Sequence, residues 1–165
     1  MKSLIQYLIE STDSNKFRVW LLVGIPGSGK TTWCDKNLPE GTPTISRDII
    51  RTQLGYTKNS EEKVVLSPAD ENEVTKEEYK QIDQLASHNT DFAIDDTNTG
   101  RFRRGLIDYL HKLGAKVIGV NIDTPLETCI ERRKDQIPED VMKKLYSKKI
   151  DLKKNEVDEI INVKK

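Results

Sequence analysis

The stretch Gly24-Ile25-Pro26-Gly27-Ser28-Gly29-Lys30-Thr31 has residue types at a spacing that can hold a chain of phosphates. Its glycines let the backbone curl until successive N–H groups point inward at an anion. A helix opening directly afterwards adds its own unpaired N–H groups and the positive end of its dipole. The Lys30 ammonium can bridge two neighbouring phosphates, and the Thr31 hydroxyl is a hard oxygen suited to Mg²⁺. A glycine turn formed by chance is the alternative, and the flanks speak against it. The apolar run Phe17–Val23 reads as a buried strand, and Thr32-Trp33-Cys34-Asp35-Lys36-Asn37-Leu38 reads as the start of a helix.

Three further groups carry chemistry of their own. Asp48 and Arg51 stand three apart on a predicted helix and so share a face. A carboxylate there can take a proton from an attacking hydroxyl, and the arginine beside it can hold a phosphate of the acceptor. A helix-capping aspartate with a surface ion pair fits the same spacing. Asp95 and Asp96 end a predicted strand, where one of them can approach Mg²⁺ through water or orient a cation. A solvated strand-end turn is the other reading. Arg132, Arg133 and Lys134 precede a proline break. They form either a basic segment able to close on a transferring phosphoryl group or a solvated helix face. His88 and His111 lack partner motifs and read as surface or boundary residues, whereas Trp20, Trp33, Cys34 and Cys129 read as packing residues.

The elements that must position these groups alternate between strand and helix. Leu4, Ile5, Tyr7 and Leu8 recur at helical spacing, so residues 1–15 read as a short helical extension ending in a turn. After the phosphate loop come a strand over Thr42–Ile45 and a helix over Arg47–Leu54, with Ser46 as its N-cap and Gly55 as its stop. Tyr56–Asn72 has weak periodicity and a Ser67-Pro68 break, and reads as a mobile, substrate-side loop. A helix over Glu73–His88 and a strand over Asp91–Asp96 follow. Thr97-Asn98-Thr99 is the expected cap of a helix over Gly100–Leu113, and the next strand is Lys116–Ile122. Pro125 opens one helix, Pro138 opens another through Lys149, and Ile160–Val163 is the last strand. This order predicts an α/β fold, a three-layer sandwich with a parallel sheet of about five strands between helices. Ligands bind such sheets at the carboxyl ends of the strands, where the loop, Asp48 and Asp95-Asp96 would meet.

Composition sets wider bounds. The 165 residues carry 27 basic and 27 acidic side chains, so no bulk basic charge announces nucleic acid, although a local basic groove stays open. The length suits one domain, residues 1–165. Two distant cysteines without metal spacing suit a reducing compartment. No apolar run reaches membrane-spanning length, and Met1-Lys2-Ser3 does not lead into a signal peptide, so the expectation is a cytoplasmic protein with no membrane contact.

From about Phe17 to Lys149 the sequence resembles the kinase domain of the bacteriophage 5′-polynucleotide kinases. The resemblance lies in Gly24–Trp33, in Ile45-Ser46-Arg47-Asp48-Ile49-Ile50-Arg51, in Ile94-Asp95-Asp96-Thr97-Asn98, and in the region from Asp123-Thr124-Pro125 to Ile137-Pro138. It implies a P-loop kinase fold that uses ATP and Mg²⁺ to phosphorylate 5′-hydroxyl ends of DNA or RNA. Gly24, Ile25, Pro26, Gly27, Ser28, Gly29, Lys30, Thr31 and Thr32 would hold ATP, with Thr31 on the metal. Asp48 would be the general base, Arg51 and Thr97 would bind the acceptor phosphate, and Asp96 would support the site. Arg132 would be a lid arginine within a lid region of about residues 126–149. The family's second lid arginine has no direct counterpart, and Arg133 and Lys134 are the nearest cations. The same loop, Asp48 and Arg51 also suit a kinase for a small acceptor such as a nucleoside, nucleotide, sugar or antibiotic. A nucleotide-binding switch that docks a partner is a third reading, for which an acceptor base is superfluous.

Overall fold

The computed structural model describes residues 15–56, 67–98, 100 and 102–165, together with Leu4. The expected N-terminal helix, the middle of the expected 56–72 loop and the Thr99 part of the expected cap lie outside the described residues.

Strand β1, Phe17–Val23, is buried at every position but Arg18. Its apolar residues alternate between the two faces of the sheet, as a period of two requires. Val19, Leu21 and Val23 join Val74, Ile82, Leu106 and Leu110 on one face, and Trp20 and Leu22 join Trp33, Val120 and Ile122 on the other. A strand covered on both faces belongs at the centre of a parallel sheet. The five strands run in parallel in the order β2-β3-β1-β4-β5. Here β2 is Thr44–Ile45, β3 Phe92–Ile94, β4 Ala115–Asp123 and β5 Glu159–Lys164.

Helices α1 (Lys30–Asn37), α2 (Arg47–Gln53), α3 (Pro68–Ser87), α4 (Arg103–Lys112), α5 (Leu126–Arg133) and α6 (Glu139–Lys148) flank the sheet. Helix α1 supplies Trp33 and Cys34 to one face, and α3 and α4 supply the apolar residues of the other. Burial of each large side chain among these contributes about 1.5–3 kcal/mol relative to exposure. Helices α5 and α6 close on a small core of their own, in which Cys129 and Met142 pack with Ile25 of the phosphate loop. Both tryptophans and both cysteines are buried, and both histidines are exposed. Among the described residues no helix is long and apolar enough to cross a membrane.

Strands β2 and β3 are shorter than the expected Thr42–Ile45 and Asp91–Asp96, and two helix starts differ by more than a residue. Helix α3 begins at Pro68 rather than Glu73, so the expected loop ends earlier. Ser67 is the N-cap, its hydroxyl accepting from the Asp70 N–H while the Asp70 carboxylate accepts from the Ser67 N–H. Proline fits the first turn because its missing donor would have been unpaired there. Helix α4 begins at Arg103 rather than Gly100. Asn98 stands before it with φ +48° and donates to the Leu22 carbonyl at 2.7 Å, which ties the turn after β3 back to β1.

The far side of the sheet is held by a side chain acting as a strand. Asn121 in β4 accepts from the Leu152 N–H at 2.8 Å and donates to the Leu152 carbonyl at 3.0 Å, all buried. Gly119 makes room for this segment, since a Cβ there would stand 2.8 Å from a Leu152 methyl. Asn121→Ala should orphan both backbone groups and lower the unfolding free energy in urea by about 2–4 kcal/mol. Asn162→Ala, which removes only the side-chain acceptor of Asn121, should cost less than half of that.

Candidate active site

The loop from Gly24 to Lys30 leaves the carboxyl end of β1 and turns into α1 at Gly29, whose φ of +94° favours glycine. Other elements hold it from outside. The Thr124 hydroxyl, just past β4, donates to the Ser28 carbonyl at 2.7 Å, and the Arg132 guanidinium in α5 donates to the Gly27 carbonyl at 2.9 Å. The Lys30 ammonium folds back to donate to the Gly24 and Ile25 carbonyls at 3.0 and 3.2 Å. Burial pushes its pKa down, and the attraction of Asp95, Asp96 and Asp48 works against that push. The Ser28 hydroxyl is buried against Gly24 with no partner. A glycine-rich loop opening a helix, with an orphaned hydroxyl and a half-buried cation, fits an anion of high charge.

The Thr31 hydroxyl donates to the Asp95 carboxylate at 2.6 Å. No group of three or more metal-ligating side chains occurs among the described residues. Mg²⁺ needs no such group when phosphates and water complete its shell, so one hydroxyl and one carboxylate beside the loop fit it. Asp95, rather than Asp96, is thus the strand-end acid that reaches the loop.

Asp96 turns instead to the start of α2. One of its carboxylate oxygens accepts from the Arg47 N–H at 2.9 Å, and the other is buried and unpartnered. Burial, helped by the negative charges of Glu78 and Asp48, pushes its pKa up to about 7, against the pull of the Arg47 N–H and charge. The expected cap of α2, Ser46, makes no side-chain capping hydrogen bond, and Asp96 takes that part from the end of the neighbouring strand.

Helix α2 presents Asp48 and Arg51 on one face, joined at 2.7 Å. The Asp48 side chain is 92% exposed. Arg51 is not the free clamp that its spacing suggests, because its other nitrogens donate to Glu71 at 3.1 and 3.2 Å. Glu71 also binds Arg47 at 2.9 Å, and the buried Glu78 binds Arg47 at 2.7 Å. Glu71, Thr75 and Glu78 lie on one stripe of α3, so this helix seats both arginines. Thr97 is half-buried beside the loop, its carbonyl accepting from the Gly24 N–H at 3.4 Å.

Of the three cations after β4, Arg132 reaches the loop. Arg133 passes its stem against Gly27 and turns its guanidinium to Gln136, and Lys134 pairs with Glu131. Arg47, Glu71, Glu78 and Lys165 lie outside the sequence-based candidates. A Cβ on Gly29 would run into the Lys165 ammonium. The signal for Lys165 lies in topology, since whatever follows the last strand of an all-parallel sheet lands at the ligand edge.

The family model described as an AAA domain matches residues 19–159. The chain belongs to this AAA domain family. Its five-stranded sheet, phosphate loop and flanking helices are the P-loop kinase fold. A chain of the Pnkp1/Rnl/Hen1 RNA repair complex is similar at 24% identity and a TM-score of 0.64, over 81% of this chain and 44% of that one. A second structure of the Pnkp1/Rnl/Hen1 complex is similar at 27% identity and a TM-score of 0.56, over 70% of this chain and 38% of that one. This chain therefore spans less than half the length of either. A sugar kinase from Janibacter sp. HTCC2649 is similar at 19% identity and a TM-score of 0.60, over 90% and 85% of the two chains. No curated protein sequence matches the chain.

The Arg47–Glu78 pair sets the seat of α2 and can be tested alone. With side chains 24% and 6% exposed, the pair is largely removed from water. Arg47→Met should leave Glu78 buried and unmatched, costing about 3–5 kcal/mol in chemical denaturation. The double variant Arg47→Met/Glu78→Leu should recover most of that loss.

Proposed function

We propose that the chain is an ATP-dependent phosphotransferase that phosphorylates a 5′-hydroxyl end of DNA or RNA. The observation that carries this reading is the position of Asp48. Its exposed carboxylate stands at the carboxyl edge of the sheet, near enough for its charge to bear on Lys30. The 27% identity to a chain of the Pnkp1/Rnl/Hen1 complex, an RNA repair complex, supports the nucleic-acid acceptor.

In this reading the 5′-oxygen forms a bond to the γ-phosphorus as the bond to the bridging oxygen of ADP breaks, and the hydroxyl proton passes to Asp48. Gly24 to Thr32 hold the triphosphate, and Lys30 and Arg132 balance its charge. Thr31 and Asp95 are placed to hold Mg²⁺, which would neutralise phosphate charge when bound. Position and charge do the greater part of such a reaction, since phosphoryl transfer asks for little covalent chemistry from the protein. Arg51 and Thr97 face the acceptor. To take a phosphate there, Arg51 exchanges contacts with Glu71 for contacts with the acceptor.

The engagement of Arg51 favours one second reading, a small acceptor such as a sugar. Asp48, Glu71 and Glu78 already engage the Arg47 and Arg51 guanidiniums, and Asp96 adds a further acid beside them, so the acceptor side is not a ready-made anion site. A sugar kinase shares the fold. Labelled ATP offered to a 5′-hydroxyl oligonucleotide, a nucleoside 3′-phosphate, a plain nucleoside and a hexose separates the two. Label on the oligonucleotide supports the proposal, and label only on the hexose or plain nucleoside replaces it with the second reading. Asp48→Ala should slow transfer by about 10²–10⁴-fold while leaving ATP affinity within twofold. Near-normal turnover in that variant would remove the base from the mechanism.

A further inference from the structure

Besides Arg133, whose guanidinium turns away to Gln136, three cations gather around the phosphate loop, and none of the three makes an ion pair with a carboxylate among the described residues. Lys30 donates to Gly24 and Ile25 carbonyls, and Arg132 donates to the Gly27 carbonyl. The third is Lys165. Its ammonium stands where a side chain on Gly29 would be, and the Arg132 guanidinium comes to 3.9 Å from that same point. Gly29 caps α1, so the positive end of a helix dipole adds to the crowding. Like charges this close repel one another, and only an anion placed between them turns the arrangement favourable.

Lys165 is aimed by its backbone. Its N–H donates to the Asp123 carbonyl at 2.9 Å, one step beyond the Asp123–Lys164 register of β4 and β5. The ladder thus carries Lys165 to the loop from the side opposite α2. A cavity of about 350 Å³ opens next to it, walled by Pro125, Leu126 and Tyr146, with Asp123 and Glu127 as polar edges. That space can take the part of a nucleotide that the loop does not hold.

We infer that Lys165 is a nucleotide-binding residue, forming with Arg132 a two-cation clasp across Gly29 that grips the phosphate chain of the bound triphosphate. This rests on the reading of the loop as a nucleoside triphosphate site, and deepens it by naming a contact made from β5. Lys165 lies at the opposite side of the loop from Asp48, so the clasp acts on the nucleotide and not on the acceptor.

The test measures equilibrium binding of a non-hydrolysable ATP analogue, without acceptor, to the full chain and to Lys165→Ala, Lys165→Arg and Lys30→Ala. Lys165→Ala should bind about tenfold more weakly and Lys165→Arg within about threefold, with thermal melting of the free protein unchanged or raised. Raised salt should weaken the parent chain more than Lys165→Ala, because one charge contact is already gone. Parent-like binding by Lys165→Ala, with binding lost in Lys30→Ala, overturns the clasp and leaves the loop reading standing. Parent-like binding by both variants overturns the loop reading together with the clasp.

Discussion

A strand paired on both edges and covered on both faces can release its chain only at its end. Strand β1 is such a strand, hydrogen-bonded to β3 and β4 and buried on both sides. The remaining geometry follows from that constraint. Because every neighbour runs parallel, β2, β3, β4 and β5 deliver their following residues to the edge where β1 delivers the loop. Asp48, Asp95, Thr124 and Lys165 come from four different strand ends, and the sheet brings them to one place.

The edge is electrically divided. On the β4–β5 side, Arg132 and Lys165 approach the loop with their charge unmatched. On the β2–β3 side, carboxylates outnumber cations and hold them firmly, with Glu71 spanning Arg47 and Arg51. In the low dielectric near buried Glu78 and half-buried Asp96 such pairings carry more weight than exposed ones, which water and salt weaken. An anion is drawn to the first side. On the second side both guanidiniums are already engaged, so an anion arriving there would have to compete with Glu71.

Where the sequence was legible, one local signal was enough. The apolar run Phe17–Val23 and the glycine spacing after it defined β1 and the loop, because burial on both faces leaves a continuous run and phosphate binding demands glycine at set positions. Asp48 and Arg51 were legible as a pair because helical spacing fixes which residues meet. The start of α3 is ambiguous in sequence because Ser67-Pro68 fits a break, while serine followed by proline and an aspartate three residues on from the serine also opens a helix. Non-local features left no mark in any window of sequence. The cap of α2 comes from Asp96, the seat of Arg51 from Glu71, and the contact at Gly29 from Lys165. Adjacent acids at a strand end could not be told apart either, because which of them reaches Thr31 depends on the twist and turn that follow.

Gly119 joins the deepest part of the fold to the exposed charge at Lys165. The missing side chain there lets Leu152 and Val157 settle onto β4, and β5 follows directly from that segment. A single methyl at this position would act as a wedge under the outermost strand. Its effect would emerge some distance away, in the angle from which an ammonium approaches the phosphate loop. Tolerance to change at residue 119 is therefore limited by the placement of Lys165 as well as by packing.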